Sequence, residues 1–408
     1  MERKLPRRRD LIPVNYDESR VPQYTLPSPL TGKDGKKITT VGAWEKRRQE
    51  ILDFYKKEYY GQNLPAPDKF DVEVVSVKND AMDNTAIRKE LRLSFAMNNG
   101  RKHSFIMLLY IPKNRAPMPV FCGLNFKGNH TVTGEEDITV TGYDLNGNPV
   151  DPVRGCRINR WQVAEAMKRG YAIATACYHD IFPDFRNAAG SWERSVYAMF
   201  FPGRRISEIH ENHAAIGAWS WALKRMLDVL EKEPLVDASR AAVVGHSRLG
   251  KTALWTGAND ERFSIVITNG SGHGGAALIR RYFGETNEIL ARSFPHWFVP
   301  DFRKYLTEKA VLPHDQHFLL SLMAPRTLCI GSATQDLWAD PKGEFLAGVH
   351  AGEVYALYGK KGLPVSELPA PDTPVFGDGV NYQIRTGKHD LTAGDWQLYF
   401  GAADRLWK

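Results

Sequence analysis

Cysteine is scarce in this chain: four among 408 residues, at Cys122, Cys156, Cys177 and Cys329, with no CxxC pair. That spacing speaks against a disulfide framework or a cysteine-built zinc site. Three of the four fall in apolar runs (FCGLNF, AIATACY, TLCIGSA), where a reduced thiol packs as a small hydrophobe. Long hydrophobic runs are also missing. No window approaches 18 uncharged apolar residues, so no membrane span is expected. The basic opening MERKLPRRRD is not followed by the apolar stretch of a secretory signal, which leaves open a chain whose signal has been removed. Neither a Gly/Ser- or Pro-rich linker nor an internal repeat divides the chain, so a single domain over residues 1–408 is expected. The charge excess, 54 − 47 = +7, is spread along the sequence except in the first ten residues, which read as a solvated terminus rather than a nucleic-acid arm.

What is present is an ordinary globular composition, 43% hydrophobic and 25% charged. Residues 1–40 are rich in Pro, Arg and Asp and read as irregular; residues 42–60 carry apolar positions at helical spacing. Strand-like alternations follow at DVEVVSV, IRKELRLSFAM and HSFIMLLYIP, an antiparallel lead-in. From residue 119 short apolar strands alternate with helical segments, the pattern of parallel βαβ units: PVFCGLNF, YAIATACY, AAVVG, FSIVITNG, RTLCIGSA and NYQIRTG as strands, with helices at WQVAEAMKRG, 209–232, 248–258, 342–358 and the C-terminal WQLYFGAADRLW. The class is α/β, a mostly parallel three-layer sandwich behind an antiparallel lead-in. Residues 127–160 and 271–325 interrupt it as long loops, expected to border a functional site.

The segment AAVVGHSRLGKTALW supports two chemistries. As G-x-x-x-x-G-K-T, residues Gly245, Gly250, Lys251 and Thr252 satisfy the phosphate-binding P-loop. As a nucleophile elbow, Ser247 stands two residues after Gly245 on a strand-to-helix turn, although Leu249 occupies the second glycine position. The remainder of the chain favours the elbow. Half of an α/β pattern precedes the motif, and the next strand ends without the magnesium-holding Asp of an NTPase. A serine hydrolase of this fold needs an acid and then a histidine, and both follow: Asp336 after RTLCIGSA, His389 after the last strand. Ser247 is then the nucleophile, His389 the base that takes its proton, and Asp336 the group that holds the imidazole, with Asp340 a rival acid in the same loop. The backbone N–H of Arg248 is the expected oxyanion donor, and its guanidinium adds positive charge there.

The run Ser247-Arg248-Leu249-Gly250-Lys251 resembles the signature of the glucuronoyl esterases, carbohydrate esterase family 15, and GSGHGGAALIRRYFGE, DLWADPKGEF and GKHD extend the likeness over roughly residues 100–408, in the manner of bacterial members. The resemblance implies an α/β-hydrolase fold and cleavage of the ester between 4-O-methyl-glucuronic acid branches of xylan and lignin alcohols, without metal or cofactor. It makes Lys251 a ligand of sugar hydroxyls and places Glu285 and Trp338 where members contact the uronate. Fungal members keep a catalytic glutamate where this chain has Gly270, so the acid must come from elsewhere, in keeping with Asp336. They also have Cys before the nucleophile, where His246 stands here, so no disulfide forms at that point. The partner implied is a glucuronoxylan or lignin-carbohydrate ester; neither nucleic acid nor membrane is expected, and the protein is read as a monomer. A wall polymer cannot enter a cytoplasm, so a secreted or periplasmic enzyme is expected.

Other readings stay beside these. Arg248 and Lys251 also fit ordinary helix positions, Trp338 a core position, and Glu285 a pair with Arg280 or Arg281. His210 with His213, and His314 with His317, have a metal-ligand spacing, with capping or surface roles favoured. Asn125, Phe126, Asn129 and His130 open the first long loop and either border the pocket or build a turn. On the same scaffold an acetyl xylan esterase or general esterase is the alternative function, and a non-catalytic carbohydrate-binding relative is a further one.

Overall fold

The computed structural model describes residues 12–113, 117–150, 153–185, 188–307 and 312–408. The basic first ten residues, and parts of both long loops, lie outside that set. Ten strands form one sheet: β1 (Lys69–Asp80), β2 (Ala86–Ala96), β3 (Lys102–Pro112), β4 (Met118–Asn125), β5 (Ala172–Cys177), β6 (Val236–His246), β7 (Phe263–Asn269), β8 (Thr327–Ala333), β9 (Val375–Phe376) and β10 (Val380–Arg385). Their order is β1-β2-β3-β5-β4-β6-β7-β8-β10-β9. The lead-in strands β1 to β3 pair antiparallel with one another and with β5, whereas β5, β4, β6, β7, β8 and β10 run parallel.

Two apolar cores sandwich this sheet, and the parallel strands feed both by strict alternation. In β6, Ala241 and Val243 enter one core while Ala242 and Val244 enter the other; in β8, Leu328 and Ile330 oppose Cys329. Burial on both faces is why these strands read as continuous apolar runs. Helices α1 (Val41–Tyr55), α3 (Ala215–Leu230), α4 (Arg248–Asn259) and α5 (Pro341–Leu357) cover the first face; α2 (Val163–Arg169) and α6 (Ala393–Trp407) cover the second. Cys122, Cys177 and Cys329 are free and buried, and Cys156 is free and exposed.

One expected helix is broken by tertiary contacts, and another widens in its last turn. The 209–232 segment is a short helix, Ile206–His210, then α3, because Asn212 and Ala214 give their carbonyls to Gln62 N and Tyr197 Oη and stay outside the helix. The 42–60 segment is helical as expected, α1 continuing without a break into a π-helical turn, Lys56–Tyr60, that ends at Gly61 with φ 88°.

Candidate functional site

The carboxyl end of β6 carries the turn that separates the two readings of AAVVGHSRLGKTALW. Ser247 alone links strand to helix, with φ 58° and ψ −129°, and α4 begins at Arg248. A non-glycine residue in that region costs about 1–3 kcal/mol, and here Ser247 is held by its N–H to Asn269 O and by Gly250 N and Lys251 N on its carbonyl. Gly245 is required: a Cβ there would lie 1.9 Å from Leu249 O. Gly250 packs where a Cβ would meet Ser271 Cβ and Thr268 Oγ1 at 3.1 Å, so it supplies the close approach that Leu249 does not. No phosphate-cradling loop forms between Gly245 and Gly250, since Ser247 alone separates β6 from α4; the buried Lys251 ammonium donates to Ser271 O, and Thr252 Oγ1 to Arg248 O. The P-loop reading is thereby overturned.

His389 and Asp336 come from loops after neighbouring strands. The two meet at 2.5 Å, His389 Nδ1–H donating to Asp336 Oδ2, with the carboxylate buried and the imidazole partly exposed. That bond leaves Nε2 as the basic nitrogen. Ser247, Arg248 and His389 line a single cavity of about 1020 Å³ together with Phe126, Tyr143 and His179. Asp340 is engaged elsewhere: it caps α5 through Gly343 N at 3.0 Å and accepts from Arg281 Nε at 2.8 Å. Burial pushes its carboxyl up to about 6 against the pull of Arg281. Gly270 leaves room for this pair, for a Cβ there would lie 3.2 Å from Asp336 Oδ2 and 3.4 Å from His389 Nδ1.

Behind the imidazole runs a chain of buried hydrogen bonds that sequence reasoning did not find. Arg385 Nη2 donates to the carbonyls of Lys388 and Asp390, either side of His389, at 2.7 Å each, while its Nε holds Asp395 at 2.6 Å. Asp395 accepts from Asn269 Nδ2, which also donates to Tyr399 Oη, so Asn269 Oδ1 is the acceptor for His246 Nδ1–H at 2.7 Å. His246 therefore carries its proton on Nδ1. Burial, with the neighbouring His389 charge, pushes its imidazole well below the ordinary value and keeps it neutral. Its ring packs 4.5 Å from that of His389, tying the Ser247 turn to the His389 loop without a disulfide.

Arg248 is held by a second cluster. Its guanidinium pairs with the buried Asp184 and lies over Trp297, 4.4 Å from the ring centroid. His296 Nε2–H and Trp297 Nε1–H donate to the other Asp184 oxygen at 2.6 and 3.0 Å. Burial alone would raise the Asp184 carboxyl, but the Arg248 charge and these donors hold it well below the usual range. Asp184→Asn keeps the shape and removes the charge that fixes the guanidinium. The expected result is a kcat about 10- to 100-fold lower on a small uronate ester with KM within threefold; an unchanged kcat would dissociate Asp184 from catalysis.

Lys251, Glu285 and Trp338 are brought together, though none of them lines the cavity just described. Lys251 Nζ donates to Glu285 Oε2 at 3.1 Å and Trp338 Nε1 to Glu285 Oε1 at 3.1 Å. Glu285 thus pairs with Lys251, not with Arg280 or Arg281, which serve Asp315 and Asp340. Trp338 is partly exposed rather than a core residue. Glu344, also missed, is fully buried beneath this turn and accepts from Ser271 N, Gly272 N and Ser332 Oγ; burial pushes its carboxyl up to about 8. Phe126 borders the cavity, whereas Asn125 and Asn129 bond each other inside the loop. The histidine pairs do not converge: His210 and His317 face backbone carbonyls, and among the described residues no cluster of three His, Cys, Asp or Glu side chains forms.

A family model described as glucuronyl esterase of fungi matches residues 205–359. A carbohydrate esterase from an unknown prokaryotic organism is 40% identical over 96% of this chain and 91% of its own. The 4-O-methyl-glucuronoyl methylesterase 1 of Phanerochaete chrysosporium is 36% identical over 78% of this chain and 58% of that protein. A solved glucuronoyl esterase from Solibacter usitatus superposes with a TM-score of 0.90 at 41% identity, over 96% of this chain and 100% of its own. The likeness therefore reaches the antiparallel lead-in, beyond the span that the motifs mark out.

Proposed function

Because the chain belongs to the glucuronoyl esterases of carbohydrate esterase family 15 and is a carboxylic-ester hydrolase, we propose that it cleaves 4-O-methyl-glucuronoyl esters through an acyl-enzyme on Ser247. The observation that carries this reading is the 2.5 Å bond between His389 and Asp336 beside a cavity that Ser247 and His389 share. Ser247 Oγ attacks the uronate carbonyl as His389 Nε2 takes its proton, and Asp336 stabilises the imidazolium. The negative oxygen of the tetrahedral intermediate meets the N–H of Arg248, an orphan donor at the start of α4, and the guanidinium held by Asp184. His389 then protonates the leaving alcohol, and water, deprotonated by the same nitrogen, releases the glucuronate.

Lys251, Glu285 and Trp338, which form one hydrogen-bonded group with Trp338 partly exposed, are assigned to the sugar hydroxyls. A single catalytic domain over residues 1–408 agrees with one sheet carrying a core on each face. The natural ester is assigned to glucuronoxylan joined to lignin alcohols, which puts the enzyme outside the cytoplasm, secreted or periplasmic. Among the described residues no helix is long and apolar enough to cross a membrane.

Initial rates on benzyl glucuronate and 4-nitrophenyl acetate test the substrate. The uronate ester is expected to be cleaved with a kcat/KM at least about tenfold higher, the value of one well-placed polar contact. Activity confined to acetate would reassign the protein as an acetyl xylan or general esterase.

A further inference from the structure

A larger cavity, about 1320 Å³, lies on the antiparallel side of the sheet, and nothing in the reaction above uses it. Strand register explains its shape. Pairing sets Lys69, Ala96 and Lys102 abreast across β1, β2 and β3, then Asp71, Ser94 and Ser104, then Glu73, Arg92 and Ile106. Each row is two residues from the next, so all three face the same side, while Phe70, Phe95 and Phe105 point into the core. Small residues in the middle strand, with Ser104 beside them, leave a trough floored by hydroxyls and flanked by long charged side chains.

The trough opens toward the catalytic edge. Because β3 runs antiparallel to β5, its Lys102 end lies at the carboxyl ends of the parallel strands, where Ser247 sits. Tyr143 and His179 line both cavities, so the two share a wall. Strand β2 stands four places from β6 in the sheet, about 19 Å away. That separation suits a chain of several sugars rather than one.

Charge names the ligand class. Lys69 and Lys102 make no ion pair or side-chain hydrogen bond among the described residues, whereas Arg92 is paired with Glu73 at 2.8 Å. Against these cations stand Asp71 and Asp180, and burial pushes the Asp180 carboxyl up to about 7, which weakens its negative charge near neutrality. We propose that this trough binds an uronate-bearing oligosaccharide, the glycan continuing from the ester held at Ser247, with Lys69 and Lys102 meeting its carboxylates and Ser94 and Ser104 its hydroxyls. The identity of the glycan rests on the glucuronoyl-esterase reading.

The test uses the full chain and the double variant Lys69→Glu/Lys102→Glu, which touches no part of the catalytic site. On esterified glucuronoxylan its kcat/KM is expected to fall about tenfold, from two lost contacts and reversed charge, while benzyl glucuronate turnover is unchanged. Equal loss on both esters, or none on the polymer, overturns the proposal. A wild type inactive on both esters would sink the function instead, and the trough would then be read by retardation in a gel containing de-esterified glucuronoxylan. There, wild-type retardation that is abolished in the variant and weakened by salt sustains it, and equal retardation overturns it. Displacement by a single-stranded DNA oligonucleotide at lower concentration than acidic xylan would likewise overturn it in favour of nucleic acid.

Discussion

Ser247→Ala is expected to lower kcat on benzyl glucuronate by about six orders of magnitude, leaving only what oxyanion donors and binding contribute. The size follows from the turn. Ser247 is the lone residue between β6 and α4, so its hydroxyl is presented by the strained turn itself. Alanine keeps the same positive φ and removes the oxygen alone. The variant should fold, release no burst of alcohol under single-turnover conditions, and bind glucuronate product as the wild type does. A residual kcat within a hundredfold of wild type would mean another nucleophile.

Asp336→Asn is expected to cost about four orders of magnitude in kcat with little change in thermal midpoint. The amide reproduces the carboxylate's shape, but turning its NH₂ toward His389 makes Nδ1 an acceptor, moves the ring proton to Nε2 and removes the base. The control is Asp340→Asn, four residues away. Asp340 is fully buried against Arg281, so losing its charge leaves that buried cation with only the half-exposed Glu18 as partner and weakens the cap of α5, costing about 3 kcal/mol of stability, while kcat per folded molecule stays within about threefold. Measuring kcat and thermal midpoint for both variants separates the roles; the reverse pattern would make Asp340 the acid.

These two carboxylates also show where sequence reading runs out. Both stand in one short loop after β8, and proximity to the strand is the only sequence signal favouring Asp336. The structure distinguishes them by partner: His389 for one, Arg281 and the first turn of α5 for the other. Arg281 lies 59 residues upstream of Asp340, and no local pattern announces that pairing. Glu285 is a similar case. Its sequence neighbours Arg280 and Arg281 are the obvious cations, yet they are claimed by Asp315 and Asp340, and the carboxylate meets Lys251 instead. The clamp on Arg248 draws Asp184 from the segment after β5 and His296 and Trp297 from the loop before β8, two stretches with no shared motif.

What the sequence determined by itself is whatever local chemistry enforces. Period-two alternation and doubly buried apolar runs set the strands, because a parallel strand must satisfy a core on each face. Gly245 and Ser247 set the elbow, because a Cβ at 245 would strike the backbone of the following helix turn. Tertiary structure decided the rest. It left one residue between β6 and α4 in place of a phosphate loop, gave Asp336 rather than Asp340 the bond to His389, and made a charged trough from three strands whose rows exist only once their register is set. In each case the deciding term is a contact between residues far apart in the chain, and such contacts leave no periodicity or spacing in the sequence to be read.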